Sequence, residues 1–113
     1  MHEITQSTVV NALSNHIGRA NGVTAARLVH EITGQPASEH AMRQLREVVV
    51  TLRNEGYHVG AHPSSGYFMC ATEEELNMAC LFLYDRAMAS LTQISAMKRI
   101  SLPDLKGQLR LPT

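Results

Sequence analysis

Residues 38–71, SEHAMRQLREVVVTLRNEG running straight into YHVGAHPSSGYFMCA, decide how this chain is read. The first part has both marks of a finished helix. Ser38 is an N-cap residue, and Glu39 just inside complements the positive end of the helix dipole. Ala41, Met42, Leu45, Val49 and Leu52 recur at helical spacing and predict the buried stripe, and Gly56 supplies the C-terminal stop. The second part predicts two short strands, about 57–61 and 67–70. They are joined by His62-Pro63-Ser64-Ser65-Gly66, whose Pro, Ser and Gly are turn formers.

Upstream, the pattern predicts two more helices. The first runs from Gln6 to about His16, with Val9, Val10, Leu13 and Ile17 near one face, and 18–22 (GRANG) stops it. Thr24 caps the second, in which Ala25, Leu28, Val29 and Ile32 match the i, i+3, i+4, i+7 template. Gly34 ends it, and Gln35, Pro36 and Ala37 make the turn, because Pro36 disfavours helical geometry at the preceding residue. Downstream, the capping box Thr72-Glu73-Glu74-Glu75 opens a fourth helix. Nothing breaks it before about Ile100, so it spans about 27 residues, or about 40 Å. The remainder, 101–113, carries Pro103, Gly107 and Pro112 and reads as an extended tail with Leu102, Leu105, Leu109 and Leu111.

Three helices followed by a two-stranded hairpin predict an α+β winged helix-turn-helix. The expected organisation is a winged domain over 1–71, a long C-terminal helix over 72–100 and a leucine-containing tail over 101–113.

With 113 residues, 44% of them hydrophobic, the chain suffices for one compact domain with an extension. Ten Lys and Arg balance ten Asp and Glu, which argues against strong non-specific nucleic-acid binding. Six histidines all fall at or before His62 and would make that half cationic below about pH 6. Cys70 and Cys80, with no secretory leader, fit a reducing cytoplasm better than a disulfide framework. No apolar run approaches the roughly 20 residues that cross a bilayer, so no membrane partner is expected.

On helix 3, with Leu45 and Val49 inward, His40, Arg43, Glu47 and Asn54 fall on the opposite side, flanked by Gln44, Arg46 and Arg53. Arg is the commonest reader of guanine edges and Gln pairs bidentately with adenine. His40, Arg43 and Gln44 lie in the first two turns, the part of a recognition helix that reaches the groove floor. The same residues would equally serve as the solvated face of an amphipathic helix. The hairpin from His58 to Tyr67 has no Lys or Arg, so its candidate phosphate contacts are His62, Ser64, Ser65 and the turn amides. Its other reading is structural, closing the core with Val59 and Phe68.

Other chemistry finds little support. His58 and His62 are four apart in a strand-and-turn context, and Cys70 and Cys80 are no C-x2-C pair, so no metal is expected. There is no glycine-rich phosphate loop and no nucleophile with a base at meaningful spacing, so neither an enzyme nor a cofactor is expected.

In helix 4, Leu76, Cys80, Leu83, Ala87, Leu91 and Ile94 follow one another at spacings close to a coiled-coil seam. Met78, Leu81, Phe82, Met88 and Ala89 lie on its other faces, and a helix apolar on several sides needs cover on several sides. A homodimer through Leu83, Ala87, Leu91 and Ile94 is the simplest provision, the competing one being that the helix folds back under helix 1. The tail leucines are candidates for a protein partner.

The arrangement resembles small winged-helix proteins of bacteriophages and prophages. The resemblance rests on Gly22-Val23-Thr24-Ala25, Arg43-Gln44-Leu45-Arg46, Leu52-Arg53-Asn54-Glu55-Gly56, Ser65-Gly66-Tyr67-Phe68, Thr72-Glu73-Glu74-Glu75-Leu76 and Arg86-Ala87-Met88, spread over residues 8–99. It implies a role in phage gene control or replication, carried by Arg43, Arg46 and Arg53. The expectation is therefore a cytoplasmic, dimeric DNA-binding protein, either a transcriptional regulator or a replication accessory factor. The alternative is a winged-helix interaction module for phage or host machinery without autonomous DNA binding.

Overall fold

Thr5 opens the first helix, α1 (Gln6–Leu13), with a reciprocal cap. Its hydroxyl accepts from the Thr8 N–H at 3.2 Å, and the Thr8 hydroxyl accepts from the Thr5 N–H at 2.9 Å. In this computed structural model, which describes residues 2–99 together with Leu102 and Pro103, α1 ends short of the expected His16. The reason is a competing partner for the backbone. The Met69 N–H donates to the His16 carbonyl at 2.9 Å and the Gly18 N–H to the Met69 carbonyl at 2.8 Å, so this segment pairs with a strand instead of extending the helix. Ile17 accordingly leaves the apolar face of α1 and is half exposed.

The segment GRANG is more than a stop. Arg19–Asn21 form a single 3-10 turn, and Val23 beyond it exchanges backbone hydrogen bonds with Tyr67 at 2.9 and 2.7 Å. Helix α2 (Ala25–Thr33) then starts at the expected cap, Thr24, whose hydroxyl accepts from the Arg27 N–H, and closes on Gly34. Helix α3 (Glu39–Asn54) starts at Ser38, whose hydroxyl accepts from the Ala41 N–H at 3.0 Å.

The strands are β1 (Val59–His62) and β2 (Gly66–Met69), antiparallel, with Val59 opposite Met69 and His62 opposite Gly66. Strand β1 begins after the expected Tyr57 because the Tyr57 N–H turns back to the Leu52 carbonyl at 3.0 Å and finishes the helix end. The core is apolar throughout: Val9 and Leu13 of α1, Leu28, Val29 and Ile32 of α2, Leu45, Val49 and Leu52 of α3, with Val23, Val59 and Phe68. Among the described residues no polar side chain is buried.

Helix α4 (Glu73–Lys98) has 26 residues, about 39 Å at about 1.5 Å per residue. The Thr72 hydroxyl accepts from the Glu75 N–H at 3.1 Å, but the Glu75 carboxylate does not complete a capping box. It accepts instead from the Ala71 N–H at 2.8 Å and the Arg19 N–H at 3.0 Å. These bonds place the first turns of α4 in a compact unit that ends at Ala79, and a second unit begins at Cys80. Leu102 and Pro103 are helical where an extended tail was expected. Ile100, Leu105, Leu109 and Leu111 lie outside the described residues. Among the described residues no helix is long and apolar enough to cross a membrane.

Candidate nucleic-acid interface

The stripe that buries Leu45, Val49 and Leu52 fixes the rotation of α3 about its axis. His40, Arg43, Gln44, Arg46 and Glu47 are all exposed as a result. The charged groups of Glu39 and Glu47 lie one turn either side of Arg43, at spacing that favours ion pairs. No such pair forms: among the described residues the side chains of His40, Arg43, Gln44 and Arg46 make no hydrogen bond or salt bridge. Among the described residues this face is a row of donors without a protein partner. Val50, 54% exposed, adds an apolar group to it.

Arg53 stands apart from that row. It is half-buried, and its Nε donates to the Val59 carbonyl at 2.8 Å, tying the end of α3 to the start of β1. Its first role is to hold the hairpin against the helix.

The hairpin tip gathers His62, Ser64 and Ser65. The Ser65 N–H donates to the His62 carbonyl at 3.1 Å and closes the turn. The Ser64 N–H donates to His62 Nδ1 at 3.1 Å. The Ser64 hydroxyl lies 2.7 Å from the same nitrogen.

Arg19 completes this group, and sequence reasoning missed it. Its Nη2 donates to the Ser64 hydroxyl at 3.2 Å and stands 3.4 Å from His62 Nδ1. The hairpin has no cation of its own, and the 3-10 turn brings one to it. Two glycines make the approach possible. A methyl group on Gly22 would lie 2.0 Å from the Ser65 carbonyl oxygen, and one on Gly66 would lie 2.2 Å from the Val23 carbonyl oxygen. Gly66 also has φ +77, a left-handed conformation that other residues resist. Arg19, Ala20, Gly22, Ser64 and Ser65 line the shallow pocket that results. The signal for this in the sequence was Gly18-Arg19-Ala20-Asn21-Gly22 itself, a cation held between two glycines.

Two charged groups brace the same region. The Glu75 carboxyl is held below its usual range, first by the Ala71 N–H and then by the Arg19 N–H. The His16 imidazole is shifted up, chiefly by the bond from Nε2 to the Glu31 carboxylate at 2.9 Å. Partial burial opposes the shift, and the bond from Nδ1 to the Asn21 carbonyl at 2.9 Å adds to it. Both ring nitrogens are engaged, one by Glu31 of α2 and the other by Asn21, so His16 links α2 to the 3-10 turn.

Of the expected dimer positions, Leu83 and Ala87 are exposed and Leu91 and Ile94 half-buried, and no residue of α4 is fully buried. Arg86 lies over the Phe82 ring, 5.8 Å from its centre. Among the described residues no three His, Cys, Asp or Glu side chains gather as a metal ion would require. Comparison with protein-family models, curated proteins and solved structures found no match to this chain.

Proposed function

We propose that this chain is a winged helix-turn-helix protein that binds duplex DNA, with α3 as the recognition helix and the β1–β2 hairpin as the wing. On this reading it is a binding protein rather than an enzyme. It serves phage gene control or replication in the cytoplasm. The observation that carries the reading is the outer side of α3, where His40, Arg43, Gln44 and Arg46 face solvent with no protein partner among the described residues. Arg43 and Gln44 in the first turns are the base readers, and Arg46 contacts phosphate.

A second copy joins through the seam of Leu83, Ala87, Leu91 and Ile94. Identical seams satisfy one another, which makes a like copy the simplest cover for them. The duplex site expected for such a two-fold dimer is a pair of half-sites one helical turn apart, about 34 Å. Selection from a random duplex library followed by titration of Arg43→Ala tests the reading. The substitution is expected to cost about 1–3 kcal/mol on the selected site and to relax preference at one base pair. Unchanged affinity and preference removes Arg43 from the site.

A second reading draws on Val50, which places an exposed apolar group among the arginines of a chain with no net charge. In it the same face of α3 docks a protein of phage or host machinery. Salt separates the two, because a phosphate-contacting face loses affinity steeply as salt rises. A docking module shows no duplex affinity even at low salt.

A further inference from the structure

The hairpin of this chain presents a difficulty for the DNA-binding reading, since a wing without Lys or Arg has little to hold a phosphate. We propose that Arg19, delivered from the 3-10 turn to the hairpin tip, is the cation of an oxyanion site whose donors are its Nη1 and Nε, since the Ser64 and Ser65 N–H groups are taken by His62, and that its ligand is a phosphodiester of bound duplex. The site rests on the DNA-binding reading for its physiological ligand, but not for its chemistry.

Three features point to an oxyanion. First, the Arg19 guanidinium is only partly used. Nη2 donates to the Ser64 hydroxyl, whereas Nη1 and Nε make no hydrogen bond to the described residues. Planar guanidinium donors of this kind match two oxygens of a phosphate at once. Second, Arg19 is positioned before any ligand arrives. Its own N–H is held by Glu75, the preceding Gly18 N–H by the Met69 carbonyl, and the loop by the Val23–Tyr67 pairing. An arginine already held at both ends loses less freedom on binding than one on an open surface. Third, the carboxylate beside it does not contact the guanidinium, although its charge acts on Arg19 at longer range. The Glu75 oxygens take the N–H groups of Arg19 and Ala71, and the guanidinium forms no salt bridge with Glu75. The pocket between the 3-10 turn and the hairpin, lined by Arg19, Ala20, Gly22, Ser64 and Ser65, is where the oxyanion sits.

The test uses the full chain, Arg19→Gln and Arg19→Lys, each first shown to melt within a degree or two of wild type. Two probes are applied: a labelled random-sequence duplex titrated at several salt concentrations, and inorganic phosphate titrated at constant ionic strength with backbone amide NMR detection. Wild type is expected to show phosphate-dependent shifts at Ser64 and Ser65 that Arg19→Gln abolishes and Arg19→Lys partly keeps. On the duplex, Arg19→Gln is expected to bind about five- to tenfold more weakly at low salt and to lose about 0.9 from the salt slope, one phosphate contact. Phosphate shifts that depend on Arg19, with no duplex binding by any variant, keep the oxyanion site and end the DNA reading. Duplex binding whose slope is the same with and without Arg19 ends this proposal and leaves the DNA reading standing. No response to either probe ends both.

Discussion

Gly22 and Ser65 meet at a backbone contact too close for any other side chain: a methyl group on Gly22 would lie 2.0 Å from the Ser65 carbonyl oxygen. The obstacle is main chain, so no rotamer change relieves it, and the 3-10 turn must move away from the hairpin. Gly22→Ala is expected to destabilise the fold by about 1–3 kcal/mol, as overpacking of a rigid site does. Thermal melting checks this. The Ser64 and Ser65 amides should shift in the same variant as Arg19 withdraws.

Arg53 gives a second test of how the hairpin is held. Its Nε bond to the Val59 carbonyl is a guanidinium contact that joins α3 to β1. Arg53→Leu is expected to cost about 1–2 kcal/mol, because it leaves a part-buried carbonyl without its charged donor. Hydrogen exchange should quicken in β1 and β2 before α1 and α2 respond. Arg53→Leu that leaves strand protection unchanged contradicts the tie.

His16 makes stability depend on pH. Its folded pKa is raised above the ordinary 6.5, so the charged bridge to Glu31 contributes in full below pH 6.5. The contribution fades as pH rises through the higher folded value. The bridge is partly exposed, so it is worth about 1 kcal/mol. Wild type should therefore melt higher at pH 5.5 than at pH 8.5 by more than His16→Gln does. Equal differences in the two proteins remove the bridge from the account.

Dimerisation through α4 is tested at Leu83, which is 42% exposed. Leu83→Glu is expected to halve the mass seen by light scattering while the melting of residues up to Ala79 persists. A wild-type chain that scatters as a monomer at high concentration contradicts the seam.

Much of the fold was legible because its signals are local. Thr24 and Ser38 cap helices at the positions their side chains announce, and Gly34 closes α2. The stripe of Leu45, Val49 and Leu52 was readable from helical spacing and fixed which side of α3 carries Arg43. What stayed hidden depends on contacts far apart in the chain. Nothing within four residues of Ile17 shows that Met69 will claim its neighbours' backbone groups, so α1 was read three residues too long. The Glu75 side chain was read as a capping box because its spacing from Thr72 fits one. Its true partners, Ala71 and Arg19, include one that is 56 residues distant. Arg19 was missed for the same reason: its partners Ser64 and His62 become neighbours only after the Val23–Tyr67 pairing forms. Helical phase alone places Arg53 on the flank of α3 and cannot register that β1 returns to meet it.

The central claim is that the outer side of α3 binds duplex DNA, and one titration reaches it most directly. Fluorescence anisotropy of a labelled duplex is followed with wild type and with the Arg43→Ala, Arg46→Ala double variant at about 50 and 200 mM salt. The account predicts wild-type binding that weakens about tenfold or more across that range, and a double variant that binds far more weakly with a shallower salt slope. Absence of wild-type binding at 50 mM, or identical curves for the two proteins, contradicts it.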